Sequence, residues 1–130
     1  MMAADTNLLL RYFVKDNDAQ TELATRWLGQ RTADDPVFIS MMVLCELVWA
    51  LRRRYSYPPD RVRDLLVVLL ETEEIVLEDE AAISAIVASG HKADLSDEII
   101  AHVSRRAGCR ATVTFDRKAA KMIPAMELLS

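Results

Sequence analysis

Short apolar segments alternate with helix-length segments along the whole of this 130-residue chain, and no other feature restricts its fold as much. Strands are expected at residues 3–5, 37–39, 75–77, 111–115 and 125–129. Helices are expected at residues 6–14, 19–30, 41–54, 60–70, 79–89 and 95–107, with a short one from Arg117. Local signals mark the joints. Ser40 is placed to cap a helix, Pro58 and Pro59 break one helix and open the next, and Gly90 and Gly108 end two others. Strands separated by helices pair in parallel and are covered on both faces, and ligands of such sheets collect beyond the strand carboxyl ends.

That rule directs attention to acidic residues by location. Asp5 closes the first strand, after four small or apolar residues, and Asp116 follows the strand ending at Phe115. Asp94 and Asp97 lie three apart at a helix start and share one face of its first turn. Glu46 is the only polar side chain in residues 41–51 (MMVLCELVWAL), so it is expected to be at least partly desolvated. Capping would account for Asp5, Asp94 and Asp116 one at a time. Glu46, in mid-helix with no basic residue within a turn, resists that account, and its alternatives are an exposed side of an amphipathic helix or a buried pair with a distant Arg. A cluster of like charges needs a cation to neutralise it, and a hard divalent metal held by oxygens meets the need.

Composition closes off other classes. At 52% hydrophobic with three Gly and four Pro, the chain reads as one globular domain without a disordered tail. The longest apolar run, residues 65–70 (LLVVLL), is far short of the ~20 residues of a membrane span. Asp5 stands where a secretion signal would need its basic start, so a cytoplasmic protein is expected. Cys45 and Cys109 lack metal-type spacing and read as two buried thiols. The net charge of −4 argues against a protein that coats nucleic acid, although basic clusters at residues 52–54 and 105–121 leave room for a local patch or for solvated helix faces.

The segments AADTNLLLR, ISMMVLCELVWALRRRY and KADLSDEIIAHVSRRAGCRATVTFDRKAAK together resemble the PIN domain, in particular the ribonuclease toxins of VapBC-type toxin–antitoxin pairs. The resemblance spans residues 1–130 as a single domain. It implies a three-layer α/β/α sandwich with a short, mainly parallel central sheet, and a Mg²⁺- or Mn²⁺-dependent endoribonuclease. It puts the acidic quartet, as catalytic residues and metal ligands, at Asp5, Glu46, Asp97 and Asp116, with Asp94 at the rim. Asn7 would hold the first carboxylate by a hydrogen bond, and the hydroxyls of Thr6 and Thr114 would line the same pocket. Arg11, Arg52, Arg53 and Arg117 are candidates for holding RNA phosphates. His91 and His102 lie off the acidic set. Two positions depart from the family pattern: Glu98 stands where a small residue commonly follows the third acid, and the first strand lacks β-branched residues.

Two other readings share parts of this pattern. A phosphoacceptor receiver domain has clustered aspartates and Mg²⁺, but needs paired acids after its first strand and a lysine after its last. A catalytically silent PIN scaffold that binds RNA or protein would be marked by loss of one of the four acids. The resemblance also implies RNA as substrate, a homodimer and a small antitoxin protein as partners. LLVVLL, apolar all the way round a helix and close in sequence to Trp49, Tyr55 and Tyr57, is the expected dimer surface, the alternative being that it packs inside the monomer.

Overall fold

The computed structural model describes residues 1–90 and 92–130, so His91 lies outside the described residues. Their order is β1 (Met2–Ala3), α1 (Thr6–Val14), α2 (Asp18–Gly29), β2 (Val37–Ile39), α3 (Met41–Arg53), α4 (Pro59–Glu71), β3 (Ile75–Leu77), α5 (Glu80–Ala88), α6 (Leu95–Arg106), β4 (Thr112–Thr114), α7 (Arg117–Met122) and β5 (Met126–Leu128). Every expected element is present, with ends shifted by a residue or two. Ser40 caps α3 through a hydrogen bond from the Val43 amide.

Every strand pair is parallel. Met2 pairs with Val37 and Val37 with Ile75, which puts β2 between β1 and β3, while Thr112 pairs with Met126 in a separate ladder of β4 and β5. The sheet is thus divided into two ladders, a division the sequence pattern does not reveal. Layered α/β architecture with a short parallel sheet is nonetheless what the alternation of elements required.

The main core is built around α3, whose Leu44, Leu47, Val48 and Leu51 are fully buried with Val37 and Ile39 of β2 and Val62, Leu66 and Leu69 of α4. Val62, Leu66 and Leu69 fall at i, i+4 and i+7, one stripe of α4. LLVVLL therefore packs inward: Leu65, Val67 and Leu70 are half-buried and only Val68 is exposed. It is not the surplus apolar surface its composition suggested. A second, smaller core of Ala93, Ala101, Ala119, Ile123 and Met126 holds α7 and β5.

Asp79 ties α5 to α6. Its carboxylate accepts from the Ala82 amide, capping α5, and meets His102 at 3.1 Å and Arg106 at 2.7 Å. The Ala82 amide, then His102 and Arg106, hold this carboxyl below the ordinary aspartate range. A lowered folded-state value contributes stability that is present above the unfolded pKa and is lost as pH falls through the folded one. Asp79→Asn keeps the cap but not the charge. It should lower Tm at neutral pH and flatten the loss of Tm below about pH 5, read by thermal melts across pH.

Candidate active site

Three of the five expected acids begin helices. Asp5 Oδ1 accepts from the Leu8 amide at 2.9 Å, Asp116 Oδ1 from the Ala119 amide at 2.9 Å, and Asp94 Oδ1 from the Ser96 amide and hydroxyl at 3.2 and 2.9 Å. Capping and site formation are not alternatives here. Each cap uses Oδ1, and the Oδ2 atoms of Asp5 and Asp116 make no hydrogen bond among the described residues. Asp5 and Asp116 stand directly beyond β1 and β4, at strand carboxyl ends. The Thr114 hydroxyl accepts from the Asp116 amide at 3.0 Å and so sets the turn into α7. Asn7 does not hold Asp5. Its side chain lines the same cleft, and the Leu8 backbone does the holding.

Glu46 is exposed rather than desolvated. It belongs to a solvent-facing stripe of α3 formed by Met42, Glu46, Trp49 and Arg53, spaced i, i+4, i+7 and i+11, so two apolar residues of the run face outward with it. The Thr6 hydroxyl donates to Glu46 Oε1 at 2.7 Å and links this helix to the start of α1, beside Asp5.

The acids form a row across three adjoining clefts. Asp5, Thr6, Asn7 and Glu46 line one; Glu46 and Asp97 share the groove between α3 and α6; Asp94, Asp97 and Asp116 share a third, of about 210 Å³, with Arg53, Lys92 and Lys118. The Asp97 carboxyl is held above the ordinary aspartate range, by burial first and then by the charges of Asp94 and Asp116, with Arg53 pulling the other way. Asp97 makes no capping contact, so its place is explained by the cleft alone. Among the described residues, no group of three or more His, Cys, Asp or Glu stands close enough together to hold a metal ion. The donors fit a hard divalent cation in kind, being carboxylate oxygens.

Glu98, next to Asp97, points into the interior and is 8% exposed, so it is not part of the row. Cys45 lines the groove between α3 and α6, half-buried, with Sγ 3.7 Å from the Ser96 carbonyl. Its thiol is pushed up by burial and then by Asp97, Asp94 and Glu46, which keeps it protonated and unfit as a nucleophile. Cys109 is exposed, not buried as expected. His102 pairs with Asp79, away from the row.

Of the expected phosphate-binding residues, only Arg53 is both in a cleft with the acids and solvent-exposed. Arg52 Nη1 donates to the Tyr57 carbonyl at 2.9 Å, and Arg11 is tied to Gln20 and Asp16 at the turn between α1 and α2. Arg117 is exposed and lines none of the three clefts. Lys92 was missed, and Lys118 stood out only as one of the basic cluster at residues 105–121. Each lies two residues from an acid of the row, a spacing that could have singled them out.

No curated protein matches the chain in a comparison of sequences. A family profile described as PIN domain matches residues 2–123, nearly its full length. The acid-lined row at the carboxyl ends of β1 and β4 is thus carried by a chain that belongs to the PIN domain family, whose members are generally nucleases and typically use a divalent metal.

Proposed function

We propose that this PIN domain is a metal-dependent endoribonuclease, the toxin of a type II toxin–antitoxin pair acting in the cytoplasm. The observation that supports this reading is the row itself: Asp5, Glu46, Asp97 and Asp116 border one continuous set of clefts, and the charge of Asp97 is left short of compensation. These four would hold Mg²⁺ or Mn²⁺, with Asp94 at the rim. The bound ion supplies an activated water and stabilises charge on the phosphoryl oxygens. The chain's own residues position the carboxylates: the Leu8 and Ala119 amides fix Asp5 and Asp116, and Thr6 fixes Glu46. With Cys45 protonated and His102 engaged by Asp79, hydrolysis by water is the route left open among the described residues.

Incubation of the purified chain with RNA tests this. Cleavage leaving a 5′-phosphate is expected with Mg²⁺ or Mn²⁺, abolished by EDTA and restored by either ion, and robust cleavage in EDTA would sink it. The partners that go with this reading are a second copy of the chain and a small antitoxin protein. The antitoxin would inhibit by placing an Arg or Lys among the four acids, where a guanidinium suits paired carboxylates. With LLVVLL turned inward, a second copy would use another face, and light scattering of the isolated chain reads whether it does.

A further inference from the structure

We propose that the cleft walled by Asp94, Asp97 and Asp116 is the track of a single-stranded RNA backbone, with Arg53, Lys92 and Lys118 as its phosphate contacts. This rests on the nuclease reading above. With a net charge of −4 and a row of carboxylates at the centre, the chain repels a polyanion everywhere except where local cations offset it. The two clefts that Asp97 borders differ in this respect. The groove between α3 and α6 presents the exposed apolar side chains of Met42, Trp49, Ile100 and Val103, and its one arginine, Arg106, is engaged by Glu78 and Asp79. The opposite cleft brings cations from α3, α4, α7 and the segment before α6 onto the same walls as three of the acids.

Not all of those cations are available. Arg52 donates to the Tyr57 carbonyl at 2.9 Å and Arg63 to the Val87 carbonyl at 2.6 Å, where they hold the ends of α3 and α5. Lys92 and Lys118 are exposed and make no ion pair among the described residues. Arg53 reaches Asp94 at 3.4 Å while its side chain is 59% exposed. Such a pairing is weak against water, and a phosphate, which takes two guanidinium hydrogen bonds at once, can replace it. Of the two clefts that Asp97 borders, the track therefore takes the cationic one, and the apolar groove stays clear of the backbone.

The test is fluorescence anisotropy of a short labelled oligouridylate with the full chain in EDTA, so that binding is read without turnover. Lys92→Ala/Lys118→Ala should weaken binding about tenfold, and should reduce the slope of log K against log salt by about 1.4, two phosphate contacts at about 0.7 each. Arg26→Ala, on α2 and paired with Glu22, is the control of equal charge change and should leave both unchanged. Both lysines are exposed, and matched thermal melts of the variants show that folding is retained. An unchanged affinity and slope, or no binding by the wild-type chain at low salt, overturns the track. Cleavage by the wild-type chain with Mn²⁺ is scored separately. Cleavage with an unaltered slope overturns the track and spares the nuclease reading, and an altered slope without cleavage does the reverse.

Discussion

Asp97→Asn and Asp116→Asn are each expected to lower RNA cleavage about a thousandfold, a barrier increase of about 4 kcal/mol, with the fold left intact. Asp5→Asn and Glu46→Gln should act alike, because each removes one carboxylate from the row. Stability should not fall with activity. Asparagine caps a helix as well as aspartate does, so α1 and α7 keep their first turns. At Asp97 the loss of a charge that Asp94 and Asp116 oppose is neutral or stabilising. Asp5→Ala separates the two roles: it should cost activity and, through the lost cap, about 0.5–2 kcal/mol of stability. Cleavage rates beside thermal melts read both. Asp94→Asn should do less than Asp97→Asn, and the opposite ranking would reverse the assignment of the third acid.

The largest effect on stability is expected in α4. Leu66→Ala should cost about 2–5 kcal/mol, because it empties a fully buried position against α3. Val68→Ala, two residues away and 55% exposed, should stay within about 0.5 kcal/mol. Urea unfolding of the two variants measures the contrast. Equal costs would mean that Val68 is covered in solution, as by a second copy of the chain.

That contrast also marks where sequence reading reaches its limit. Element order was legible because caps and breakers are local: Ser40, Pro59 and the aspartates at positions 5 and 116 announce their helices within four residues. The facing of an all-apolar helix is not local. In residues 41–51 the periodicity is saturated, so the outward stripe of Met42, Glu46 and Trp49 could not be told from the buried one, and Glu46 was expected in the wrong environment. The same saturation hid the inward packing of LLVVLL. Asp5, Asp94, Asp97 and Asp116 could be located in the fold because strand ends and helix starts fix them, whereas Glu46, in mid-helix, has no such local marker. Lys92 and Lys118, some 26 positions apart, meet only once α6 and α7 are in place, and the split of the sheet into two ladders likewise depends on pairing across long separations.

The two ladders have a bearing on how the protein ages and heats. Asp116 stands between β4 and α7, in the part of the molecule held by a core made largely of alanines, whereas Asp5 and Glu46 are anchored to the leucine-rich body around α3. Alanine buries little area, so this C-terminal unit has less to lose by opening than the rest of the chain. The carboxylates are assembled from two units of unequal strength. Amide protons in β4 and β5 should then exchange through a local opening while those of α3 wait for the whole molecule to unfold, and the working life of the site should follow the weaker clock.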